Sequence, residues 1–282
     1  MLIDFHTHIF PEKIAERSIA ALIAGIQREQ GADYKNADGS PLVFRPATLE
    51  GLLESMPESG VDRSICLPIA TKPSQTESIN RYAESIRSGN ALSLGTLHPA
   101  DPEAEQVLES LAARGFKGIK LHLQFQQYDI DSPEVLKILQ KAEELGLLVV
   151  FHAGADIGLP PPVYTSPAKI RHALDYVDGS NLIAAHLGGW AQWDDVEHYL
   201  VGTNINMDTA YIRLFITPKQ CLRIIRKHGA EKIVFGSDSP WENPADTVRF
   251  LQGIGLTDRE LALITHQNAL RLLKEPLPAE EI

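Results

Sequence analysis

Five side chains have the types and spacing to hold a divalent cation and move protons: His6, His8, His152, His186 and Asp238. His6 and His8 are two positions apart, which puts both imidazoles on one face of an extended strand. Two such nitrogens, at about 2.0–2.1 Å, can grip one metal ion, although an isolated His-x-His pair is a weak signal. The company it keeps makes it stronger. His152 closes the run LLVVF, His186 closes NLIAA, and Ser237-Asp238 follows KIVFG. Polar groups at the ends of apolar runs are costly to bury without partners. If those ends meet, His6, His8, His152 and Asp238 surround one ion, with water as the exchangeable ligand. Neutral imidazoles with a single carboxylate suit zinc, and manganese, iron or cobalt are alternatives. His186 precedes Leu-Gly-Gly-Trp190. It is read as a catalytic acid/base, since imidazole titrates near neutrality, or else as a ligand to a second metal. Asp238 is expected to ligate and to carry a proton during catalysis. Its rival role is a helix N-cap, because Pro240 follows.

Lys120 and His122 share a strand face in GIKLHLQFQ, and Gln124 and Gln126 continue the alternation. Lys120 can balance carboxylates, bind an acidic substrate or, once carboxylated, bridge two metals; a snorkelled structural lysine is the alternative. The expected substrate-binding set is Lys120, His122, Gln124, Trp190 and Tyr211, with Trp193 as a further wall residue and Arg213 as an anchor for a second anionic group. Asp4 shares the face of His6 and His8 and is expected to orient one of them or to meet a cation.

These groups must be positioned by strands. Candidate strands are Leu2–His6, Arg63–Leu67, Ala91–Leu97, Gly118–Leu123, Leu147–His152, Leu182–His186, Thr203–Met207 and Lys232–Phe235. Amphipathic helical stretches intervene, among them Glu103–Ala113, Glu134–Glu144 and Pro218–Lys227. Strands alternating with helices imply a mostly parallel sheet covered by helices. Eight strands predict a (β/α)8 barrel, which takes about 250 residues and carries its active site at the C-terminal strand ends. The whole chain, 1–282, reads as one domain. The polar, glycine-punctuated stretch 25–46 is expected to be an insertion forming a flap over the mouth, and 156–167, with three consecutive prolines, a second irregular segment. Thr257 and Glu260 form a capping box opening a helix to about Leu273. An open doubly wound sheet is the rival fold, but no Gly-rich phosphate fingerprint follows the first strand.

The net charge of −11 disfavours nucleic acid as a partner while leaving room for a small anionic substrate in a local pocket. Cys66 and Cys221 sit in apolar contexts and read as buried thiols of a reducing compartment. No apolar run approaches transmembrane length and the N-terminus does not read as a signal peptide. A cytoplasmic enzyme acting on a small molecule is expected, with homo-oligomerisation left open.

The stretches IDFHTHIFP, GFKGIKLHLQFQ, LLVVFHAG, NLIAAHLGG, IVFGSDSPW and NALRLL together resemble the amidohydrolase superfamily, in its amidohydrolase-related branch. The resemblance implies a distorted TIM barrel with one or two divalent metals. It implies His6, His8, His152 and Asp238 as ligands, His186 as the acid/base beside a single metal, and Lys120 near the place where binuclear members carry a bridging group. The KLHL surroundings of Lys120 differ from those of the binuclear enzymes, which favours one metal. The branch contains hydrolases of cyclic amides, lactones and esters, and non-oxidative decarboxylases of aromatic and related acids. Metal-assisted hydrolysis is the expectation; decarboxylation, using the same residues, is the alternative.

Overall fold

Short aliphatic runs bounded by turn residues form the strands of the computed structural model, which describes residues 1–35, 39 and 44–279. In chain order they are β1 (Ile3–Thr7), β2 (Arg63–Cys66), β3 (Arg87–Ser88), β4 (Ala91–Ser93), β5 (Gly95–Thr96) and β6 (Gly118–Leu121). They continue with β7 (Leu148–Phe151), β8 (Leu182–Ala184), β9 (Asn206–Asp208) and β10 (Ile233–Val234). One sheet runs β1-β2-β4-β3 and the other β10-β9-β8-β7-β6-β5. Every pairing is parallel except that of β3 with β4.

The expected third strand is present in two pieces. β4 and β5 flank Leu94 and carry the chain from one sheet into the other. On the opposite side the Phe5 N–H donates to Phe235 O and the Asp238 N–H to His6 O, each at 2.8 Å, and Thr7 bridges Ser239 in parallel. With β4 and β5 counted as one, the eight parallel strands make a distorted (β/α)8 barrel.

Two apolar layers fix which side chains reach its centre. Val149 and Phe151 of β7 join an outer cluster against the helices, while Leu148 and Val150 join an inner one with Ile3, Ile65, Leu94, Ile183 and Val234. The two-residue period of the strand then turns His152 inward. Outside, helix Pro133–Glu144 buries Val135, Ile138, Leu139 and Ala142, the spacing of one helical face. Helix Pro218–His228 starts with proline, and its Thr217 side chain accepts the Gln220 N–H.

Several expectations need correction. Helix Glu12–Gln30 runs straight through the start of the expected insertion. Gly25 does not break it: a Cβ there would lie 3.1 Å from Gly158 O, so the missing side chain serves a close approach between segments. Gln30 Nε2 also donates to Ile157 O at 3.0 Å. Positions 36–38 and 40–43 of the expected flap lie outside the described residues. Strand β6 stops at Leu121, and His122 caps a helical turn, Leu123–Gln126, which ends the alternation expected to carry Gln124 and Gln126 into the pocket. The capping box of Thr257 and Glu260 forms as expected, but the helix it opens passes through a π segment, Leu263–Gln267, before Asn268–Leu273. Cys66 and Cys221 are buried free thiols. Among the described residues no helix is long and apolar enough to cross a membrane.

Candidate active site

The C-terminal strand ends open into a cavity of about 440 Å³, within the range of roughly 300–1,000 Å³ usual for small-molecule sites. His6, His8, Lys120, His122, His152, His186 and Asp238 give it a polar floor, and Phe10, Phe44, Trp190, Tyr211 and Trp241 belong to its walls.

Hydrogen bonds decide where the imidazole protons are. His6 Nδ1–H donates to Asp208 Oδ2 at 2.7 Å, and His8 Nδ1–H to Leu67 O at 2.9 Å. Both Nε2 atoms are therefore bare, and they lie 3.1 Å apart. Asp238 Oδ1 is 3.4 Å from the first and 3.2 Å from the second, and among the described residues this buried oxygen has no hydrogen-bond partner. Three buried acceptors with no proton among them repel one another unless a cation lies between. The donor set fits a divalent metal. Lys120, 1% exposed, brings its Nζ to 3.3 Å from His6 Nε2 and supplies a positive charge of the chain's own.

His152 stands one imidazole further away. Its Nε2 bonds Ala155 O at 3.0 Å and its ring stacks on His122, with centroids 4.5 Å apart. His186 Nδ1–H donates to Ala210 O at 2.8 Å, and its Nε2 faces His152 Nδ1 at 3.1 Å. The structure thus gathers His6, His8 and Asp238 into one potential ligand group, with His122, His152 and Asp156 in an adjoining one. His186 lies between them, its ring 5.4 Å from that of His6 and 4.8 Å from that of His152. The single four-residue set expected from sequence is split at His152, because that ring is anchored toward Ala155 and His122.

Burial sets the charges. It pushes His186 down to about 3, helped by neighbouring His152, and it lowers His6, His122 and His152 as well. Lys120 falls to about 8 for the same reason, against the pull of Asp208 and Asp238. Burial works in the other direction on the two carboxyls, but positive charge facing them, and for Asp208 also the His6 Nδ1–H, outweighs it. Asp208 ends at about 2, and Asp238 is held below the ordinary carboxylate range.

Tight local backbone delivers these groups. His186, Leu187, Tyr211 and Asp238 have φ of 59°, 55°, 53° and 69°, a left-handed conformation that costs a non-glycine residue about 1–3 kcal/mol and gathers at functional sites. Gly236 has no side chain where a Cβ would lie 2.8 Å from His6 Cβ. Asp238 is no N-cap: Asn243 caps helix Pro244–Gly253. Among the described residues, Asp4 bonds neither an imidazole nor a cation. Its carboxylate takes the Ser237 hydroxyl and the backbone N–H groups of Ser237 and His6, and burial lifts it to about 7.

Of the expected substrate-binding residues, Lys120, His122, Trp190 and Tyr211 line the cavity. Gln124 instead braces the proline segment, donating to Pro160 O and Pro162 O and accepting the Tyr164 N–H. Gln126 bonds Ala70 O and Leu97 O. Trp193 Nε1–H holds His186 O, and Arg213 pairs with Glu242 at 2.5 Å. Sequence reasoning missed Asp208, which orients His6 and accepts the His186 N–H at 2.8 Å. An aspartate ending NINMD, one residue past the expected strand, was the available signal. It also gave Asp156 no role.

The match to known proteins follows this architecture. Residues 3–274 match the family model described as amidohydrolase, and the chain belongs to that family, an enzyme family of metal-dependent hydrolases and decarboxylases. A search of curated protein sequences finds no match. Among solved structures, the chain is similar to 5-carboxyvanillate decarboxylase from Sphingomonas paucimobilis, with TM-score 0.69 and 16% identity over 98% of this chain and 99% of that one. It is similar to a probable 2-pyrone-4,6-dicarboxylic acid hydrolase from Acinetobacter baumannii solved with citric acid bound, with TM-score 0.63 and 17% identity over 97% and 99%. A dihydroxybenzoic acid decarboxylase from Polaromonas sp. JS666, with bound manganese and the inhibitor 2-nitroresorcinol, aligns with TM-score 0.65 and 14% identity over 97% and 96%. At these identities the likeness establishes the fold.

Proposed function

We propose that this protein hydrolyses an amide, lactone or ester bond in a small molecule, with one divalent metal, zinc first, held by His6, His8 and Asp238 and adjoined by His152. The observation that carries the reading is the buried, partnerless Asp238 Oδ1 facing two bare imidazole nitrogens. A metal bound there supplies Lewis acidity and lowers the pKa of water toward neutrality. Asp238 accepts the proton of the attacking water and returns it to the leaving group. His186 offers Nε2 as a second proton acceptor, its ring fixed by Ala210 O. Lys120 counters the charge of Asp208 and Asp238 and draws an anionic substrate to the floor. The apolar walls exclude bulk water. The reading takes the chain as a single domain acting in the cytoplasm.

Decarboxylation of an aromatic acid is the second reading. The aromatic walls and the buried ammonium of Lys120 favour it, since they match a ring bearing one carboxylate. A panel of lactones and aromatic carboxylic acids, given to zinc-loaded protein, separates the two. Acid release without carbon dioxide is expected; carbon dioxide without hydrolysis selects the second reading, and neither product from metal-loaded protein overturns both.

A further inference from the structure

We propose that His122 and Asp156 form a clasp for a hydroxyl group, and that the substrate carries such a hydroxyl on an apolar body. The proposed function locates the reacting group; the clasp lies beside it, on the far edge of the His152 ring.

The Phe125 N–H, which donates to His122 O at 2.9 Å, also faces His122 Nδ1 at 3.4 Å, where the ring caps the turn Leu123–Gln126. The ring proton is therefore on Nε2. That atom faces Asp156 Oδ2 at 3.6 Å, too far for a hydrogen bond. Asp156 is held from its other side, where Oδ1 accepts the Gly158 N–H at 2.8 Å. His152 Nε2 lies 3.9 Å from Oδ2 and is already committed to Ala155 O. The His122 ring is held by its stack on His152 and by Phe125, 4.4 Å away centroid to centroid.

A fixed donor and a fixed acceptor thus stand side by side at the cavity surface, with neither satisfied by the other. A hydroxyl oxygen placed about 2.7–2.9 Å from each accepts from His122 and donates to Asp156. A carboxylate oxygen has no proton for Asp156, and an ammonium has no lone pair for His122. A cation in the same gap would need His122 Nε2 bare, and the displaced proton on Nδ1 would then point at the Phe125 N–H. Phe44, Trp190 and Trp241, which line the same cavity, set the apolar body.

The probes are 2-, 3- and 4-hydroxybenzoate, each paired with the fluorobenzoate of the same pattern, whose fluorine has no proton to give. Dissociation constants are measured by calorimetry, with and without zinc, alongside zinc content. At least one hydroxybenzoate should bind wild-type protein about tenfold or more tightly than its fluoro partner. Asp156→Asn should erase that preference and leave fluorobenzoate binding and zinc content unchanged. The Gly158 N–H retains the amide oxygen in this variant, so an NH2 replaces the acceptor. His122→Phe, which keeps the stack, should erase it too, and answers the question if Asp156→Asn fails to fold. No preference in wild type, a preference that survives both substitutions, or zinc lost on Asp156→Asn would each overturn the clasp. A protein that binds no zinc refutes the functional reading instead, and the metal-free measurements still report on the clasp.

Discussion

At Asp238, burial raises the carboxyl and facing positive charge lowers it, and the charge wins. With the two imidazole nitrogens bare, a cation bound between them would supply that charge and keep the carboxylate ionised as ligand and proton acceptor. Asp238→Asn should lower kcat by at least about 10²–10⁴-fold; near-normal turnover with metal still bound would remove Asp238 from proton transfer. His186→Asn should abolish most activity while zinc content holds, and loss of the zinc would recast His186 as a ligand. Asp208 acts through His6, fixing its tautomer at Nδ1. Asp208→Asn should weaken zinc binding by about 10–100-fold, read by competition with a chelator; unchanged affinity would reduce Asp208 to a packing role. His6, His8 and Asp238 could be read in the sequence because each stands at the end of an apolar run. Asp208 could not, because the expected strand ends at Met207, and a one-residue boundary error hides a strand-end residue.

The elements explain which parts of the site could be foreseen. The apolar runs of β7, β8 and β10 pointed to their own ends, since a strand covered on both faces has few polar choices. Gln124 was misplaced because a two-residue period cannot announce where a strand gives way to a helical turn. Gly25 misled in another way: glycine reads as a breaker, yet here it lets a helix touch a loop backbone. Gly236 makes a comparable contact within the barrel. Gly236→Ala must displace His6 or its own strand, and overpacking of this kind costs about 1–3 kcal/mol. Zinc affinity should fall together with melting temperature; a variant with wild-type zinc binding would show that His6 tolerates the shift.

For the molecule as a whole, the buried histidines set the acid limit. His6, His122, His152 and His186 are all lowered by burial, His186 to about 3, so the unfolded chain binds more protons than the fold below about pH 6.5. Asp4 and Glu242, both raised to about 7 mainly by burial, contribute with the opposite sign, but these two carboxyls are outnumbered. Metal-free protein should therefore melt at progressively lower temperature from pH 7 to pH 5, and a flat or inverted profile would contradict neutral histidines. Zinc at 100 times its dissociation constant should add about 2.7 kcal/mol at neutral pH. One contact between distant parts of the chain also matters for redesign. Because Gly25 and Gln30 meet the backbone of Gly158 and Ile157, the first helix and the loop after β7 form a single roof over the entrance. Libraries that randomise one half will mostly disrupt its mate, so new substrate ranges should be sought by exchanging both segments together.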